Sequence, residues 1–197
     1  MALDLGSYPV RLGSAPMRLI RADARAWQAA VDHPPFCDRP ADSLPEVSRQ
    51  LQAEFPDGLE RDWNFPDRSY GQAEYLLDCA GYRTLKSWPE RERSLPYRII
   101  EGDEEFAVHA TGVQGITWRC STAAFLAEAV ATIGSLDPVA ARREFSVAEM
   151  AALGVYKVHP SHDDDEVFAG LLDGLRRLAA YYRGIVDRGL DLIIVKD

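Results

Sequence analysis

Ser161-His162-Asp163-Asp164-Asp165-Glu166, continued by Leu171-Leu172-Asp173-Gly174-Leu175-Arg176-Arg177-Leu178 and closed by Gly189 and Leu190-Asp191-Leu192-Ile193-Ile194-Val195, decides the fold of this chain. Apolar residues recur at 167, 168, 171, 172, 175, 178, 179, 182, 185 and 186, the three-and-four period of an amphipathic helix. Ser161 followed by Asp164 reads as a capping box, and the four acids suit the positive end of the helix dipole. Gly189 stands where a left-handed residue would end the helix. Leu192–Val195 has no polar side to offer water, so it reads as an internal strand buried on both faces.

Upstream, Ser121 or Thr122 opens a helix with Phe125, Leu126, Ala129, Val130 and Ile133 on one face and Gly134 at its end. Asp137-Pro138 starts another in the strongest local way, and Ser146 with Glu149 forms a capping box before Gly154. Ser69 begins a helix carrying Ala73, Leu76 and Leu77 and ending at Gly81. Residues 82–96, with Pro89 and Pro96, read as an exposed loop. Tyr97–Ile100 and Phe106–His109 read as a hairpin about Gly102-Asp103, with a third short strand at Ile116–Trp118. Near the start, Tyr8–Leu12 and Met17–Ile20 read as strands, Asp23 caps a helix, and Pro45 opens one through Val47 and Leu51. The class is α+β: several helices on a small mixed sheet, the long C-terminal helix running into a buried strand. One domain over 1–197 is expected, with 1–60 its divergent part.

The 197 residues hold 22 basic and 31 acidic side chains, a formal net charge of −9. Such a chain repels phosphate backbones, which argues against nucleic acid and favours a basic protein partner, although solubility is the simpler reading of a charge this size. No run approaches the roughly 18 apolar residues of a membrane span, and no signal segment is legible at the start. Cys37, Cys79 and Cys120 have no metal-type spacing and fit reduced thiols in a cytoplasm.

Candidate chemistry is sparse. His159-Pro160-Ser161-His162 and the acids after it have ligand-type side chains, but Pro160 breaks any shared face and capping already explains the acids, so no metal or other cofactor is expected. His109 and Cys120 could pair as base and nucleophile, although a buried thiol and a satisfied histidine are the simpler reading. Gly170 and Gly174, at small-xxx-small spacing, fit close packing against a neighbouring element. Trp63, Phe65, Tyr70, Trp88 and Trp118 stand near acids and can line a pocket or a partner surface, although aromatics in such loops are more often lids over the core.

The order Ser121–Ile133, Asp137–Phe145, Met150, Val155-Tyr156, the acidic Asp163–Glu166, Phe168–Tyr182, Gly189 and Leu192–Val195 resembles the C-terminal half of the YfbM-like family. These are bacterial α+β proteins described as domains of unknown function. Tyr75-Leu76-Leu77 is similar to that family's middle helix, although Arg68–Gln72 replace its usual aspartate and tryptophan. The resemblance implies a fold and a bacterial cytoplasmic setting, and it supplies no catalytic residue.

The expected function is a non-enzymatic interaction module, of immunity or regulatory type, for a basic partner. Its expected binding residues are Asp103, Glu104 and Glu105 at the hairpin turn, with Trp63, Tyr70 and His109. The alternative is a small enzyme or small-molecule binder using His109, Cys120 and the loop aromatics.

Overall fold

The structure is a computed structural model that describes residues 5–34, 40–55, 63, 65, 68–106 and 117–196. The chain divides into two compact units, one of Met1–Asn64, Gly102–Leu126 and Gly184–Asp197, the other of Phe65–Glu101 and Ala127–Arg183.

The first unit is built on the strand expected to be internal. β4 (Asp191–Lys196) lies between β1 (Leu5–Val10) and β3 (Thr117–Ser121), and β2 (Glu104–Glu105) adds to the outer side of β3. Leu192, Ile193 and Ile194 are buried. The sheet is antiparallel at every described pairing, where a mixed sheet was expected. Asp191, the charged residue before the apolar run, organises both flanks: its carboxylate accepts from the amides of Leu12 and Ala123, each at 3.0 Å.

Among the described residues three α-helices lie wholly in this unit, α1 (Ala15–Ala22), α2 (Ala24–Asp32) and α3 (Glu46–Ala53), with a short 3-10 turn at Ala41–Ser43. Asp23 caps α2, accepting from the amides of Arg25 and Ala26. Met17–Ile20 lies in α1 and not in a strand, because Pro16 sits in the first turn and Met17 and Ile20, three residues apart, fall on one buried face. These helices share a core with Val10, Phe106, Trp118 and Ile193, in which Trp27 and Trp118 meet edge to face at 4.8 Å.

The second unit is helical among the described residues, with α4 (Tyr70–Leu77), α5 (Cys79–Tyr82), α6 (Trp88–Arg93), α7 (Leu95–Glu101), α9 (Pro138–Glu144) and α10 (Val147–Ala152). α8 (Ala123–Gly134) and α11 (Asp164–Val186) pass from one unit into the other. Gly81 does not end α4: Asp78 breaks the helix and caps α5 by accepting from the Gly81 amide. The expected loop over 82–96 holds α6, and the expected strand Tyr97–Ile100 is part of α7. There Tyr97, Ile99 and Ile100 are buried, and the Tyr182 hydroxyl donates to the Ile99 carbonyl at 2.8 Å. Their β-branched run misled because burial, not local propensity, decides so short a segment.

α11 keeps its apolar face, with Leu175, Leu178, Tyr182 and Ile185 almost wholly buried. Its cap is Asp163, whose carboxylate accepts from the amides of Asp165 and Glu166; Ser161 instead engages His159. Gly189 is left-handed at φ 61°, with Gly189 N–H donating to Val186 and Leu190 N–H to Ile185, a Schellman closure that turns the chain into β4.

Candidate functional site

Beside the first half of α11 runs a groove of about 1060 Å³, contained within the helical unit. Phe65, Val158, Val167 and Leu171 give it an apolar lining. Gly170 adds open space, since a Cβ built there meets nothing within 4 Å. At Gly174, one turn on, a Cβ would come within 3.0 Å of the Phe65 ring, so the close packing expected of the glycine pair holds at one member only.

The groove's other wall follows α10. Left-handed Gly154 (φ 73°) ends that helix, and Lys157 takes φ 58°, a conformation costly for a residue with a Cβ. Gln72 steadies this turn by donating to the Tyr156 carbonyl at 3.3 Å. His159 and His162 follow, their rings 6.0 Å apart. The Ser161 amide and hydroxyl both reach His159 Nδ1, at 3.3 and 2.7 Å. An amide can only donate, so Nδ1 is the acceptor and the neutral ring carries its proton on Nε2.

The acids that open α11 have separate tasks. Asp163 caps the helix, Asp164 accepts from the Val147 amide at 3.0 Å, and Asp165 pairs with Arg142 at 2.7 Å. Glu166 has no side-chain partner among the described residues, and it lines the groove. Three or more His, Cys, Asp or Glu side chains placed to hold a metal ion are not found among the described residues.

The turn expected to bind lies in the other unit. Glu104 and Glu105 are exposed on β2 and Asp103 is half-buried. Arg21 sits 3.3 Å from Glu104 and also donates to the Phe106 carbonyl, while Arg119 donates to the carbonyls of Gly102 and Asp103. Two cations thus offset this acidic turn. Trp63 is half-buried and its amide donates to the Ser7 carbonyl at 3.4 Å; Tyr70 is buried in the helical unit. Phe65 and Trp118 are also buried, which leaves Trp88 as the exposed member of the aromatic set. His109 lies outside the described residues. Cys120 is fully buried, and burial together with the nearby Glu104 pushes its thiol up to about 12. Such a thiol is not a ready nucleophile.

A buried ionic cluster in the helical unit was not legible. Glu74 and Glu101 are 0% and 1% exposed, and Arg91 forks onto Glu74 with two bonds of 2.8 Å while lying 3.8 Å from Glu101. Burial, helped by the neighbouring Glu101 charge, pushes the Glu74 carboxyl up to about 7 against the pull of Arg91. Glu74 in the otherwise apolar Ala73–Leu77 was the one available signal. A second network joins Arg83 to Glu144 and Glu149, with Tyr75 donating to Glu149. Glu149 therefore completes only half of the expected capping box: its amide donates to Ser146, while its carboxylate turns to Arg83 and Tyr75.

An antiparallel sheet with α1–α3, joined to a helical unit that carries a groove, defines an α+β protein. The chain belongs to the family described as a domain of unknown function (DUF1877), whose model matches residues 67–195 and so includes the groove's helices and β4. The match begins well upstream of the resemblance read at 116–197. The crystal structure of YfbM, a protein of unknown function from Escherichia coli, is similar with a TM-score of 0.62 at 13% identity, covering 98% of this chain and 99% of that one. At that identity the likeness shows the fold alone. Comparison with curated protein sequences gives no match. Among the described residues no single helix is long and apolar enough to cross a membrane.

Proposed function

We propose that the chain is a non-enzymatic binding module of the bacterial cytoplasm, of immunity or regulatory type, whose groove along α11 receives a basic segment of a partner protein. The observation that carries this reading is Glu166, the one acid of its run without a side-chain partner among the described residues, beside an apolar lining. A lysine or arginine of the partner pairs with Glu166 while a neighbouring apolar side chain covers Val158 and Leu171. The net charge of −9 steers such a segment inward at long range. The buried free thiols Cys79 and Cys120 suit a reducing compartment.

The test uses Gly170→Leu, which fills the groove where nothing opposes a side chain, and Glu166→Lys, which inverts the free charge. Affinity capture from the native cell should retain a basic protein on the wild-type chain, and both variants should lose it while remaining folded, Glu166→Lys melting slightly lower because it sets a cation against the helix dipole. A basic partner retained equally by both variants would place the interface elsewhere.

A further inference from the structure

α6 is a six-residue helix with no fully buried residue, yet it supplies the cation of the buried cluster. Glu74 holds Nε and Nη2 of Arg91, and Gly71 makes room for the group, since a Cβ there would stand 3.4 Å from Nη2. The guanidinium also lies over the Trp88 ring at 4.9 Å, with Tyr97 and Tyr82 at 5.8 and 5.9 Å. Its position is therefore fixed from several sides, while Nη1 makes no hydrogen bond to a described residue. Beside it opens a pocket of about 270 Å³ lined by Arg91, Lys86 and Ser87 and by the apolar surfaces of Tyr82, Leu85, Trp88 and Leu153. The Lys86 ammonium has no ion-pair partner among the described residues.

We infer that this pocket binds a small organic carboxylate with a planar apolar body, its carboxylate received by Arg91 Nη1 and Lys86 and its body resting against Trp88, Leu85 and Leu153. The charged side chains that line the pocket, Arg91 and Lys86, are both cations, while Glu90 and Glu92 stand outside the lining, Glu90 accepting from the Lys86 amide and Glu92 from the Trp88 indole N–H. A guanidinium already held by Glu74 loses little freedom on binding, and an apolar wall beside a few fixed polar groups is the usual form of a small-ligand site. This site is separate from the groove along α11 and does not depend on it.

The probe is benzoate, titrated into the full chain while the Trp88 indole N–H resonance is followed by NMR, with assignment by Trp88→Phe. Benzoate should move that resonance with a Kd of about 1–10 mM, as befits so small a ligand. Neutral benzamide and inorganic phosphate should each bind at least about tenfold more weakly, lacking the charge or the apolar body. Arg91 variants leave buried acids unbalanced, so the decisive variant is exposed Lys86→Gln, expected to weaken benzoate about 3- to 5-fold with the fold intact. No response to benzoate, an equal response to benzamide or phosphate, or a response unaltered by Lys86→Gln would each overturn the assignment.

Discussion

Glu101, Asp103, Glu104 and Glu105 form one cluster of acids and Asp163–Glu166 another, and they differ in what answers their charge. In the first, Glu101 is buried beside Arg91 and Glu104 faces Arg21, so cations distant in the chain hold it. In the second, the start of α11 absorbs Asp163, the Val147 amide takes Asp164, Arg142 takes Asp165, and Glu166 is left toward the groove. A run of acids is thus a set of separate demands, and the useful question is which carboxylate is left over.

The largest test of that contrast falls on the buried cluster. Arg91→Met should cost about 3–5 kcal/mol in denaturant unfolding, because two buried acids lose their cation. A loss under about 1 kcal/mol would show that the pair neutralises itself by taking up a proton.

The cluster should also leave a pH signature. Glu74 ionises near 7 in the folded chain against an ordinary 4.5, so the native state keeps a proton that the unfolded chain releases. Its contribution is fully present below the ordinary value and is lost as pH rises through the folded one. Between pH 4.5 and 7.5 stability should fall by about 1–3 kcal/mol through this group, and Glu74→Gln should flatten the slope. A slope unchanged in that variant would assign the proton elsewhere.

Smaller effects belong to α11. Asp163→Ala should cost about 1 kcal/mol through loss of the cap. Gly170→Ala should raise stability by up to about 1 kcal/mol, since open space lies above it, whereas Gly174→Ala should lower it by crowding Phe65. The same sign at both glycines would contradict the packing described.

The smallest pair compares the clusters directly. Glu104→Gln and Glu166→Gln should each change stability by less than about 0.5 kcal/mol. Only Glu166→Gln should slow capture of a basic partner and weaken its salt dependence, as read by surface-plasmon kinetics. If Glu104→Gln has the greater effect, the acidic edge at β2 and not the groove is the binding surface.

Sequence periodicity made α11, β4 and most caps legible, because each is set by near neighbours: Leu175 and Leu178 by helical spacing, Gly189 by its left-handed turn, Asp23 and Asp137 by the amides two and three residues on. The stretch from 82 to 101 was opaque for the opposite reason. α6 is held by Arg91 reaching Glu74, seventeen residues back, and nothing in Trp88–Arg93 announces a buried partner. Of the candidate site, the acids and histidines of 159–166 were visible as types. Which acid stayed free depended on Arg142 and Val147, elements that no local pattern connects to them.

β4 also sets when the first unit can form. Leu5 pairs with Lys196 and Thr117 pairs with the same residue, so the centre of the sheet does not exist until residue 196 has been synthesised. Until then β1 and β3 are both unpaired on the sides that β4 will fill, and the ribosome presents them as open edges to other chains. Folding of this unit therefore waits until residue 196 has left the ribosome, and a chain cut before residue 191 keeps two adhesive edges with nothing to join them.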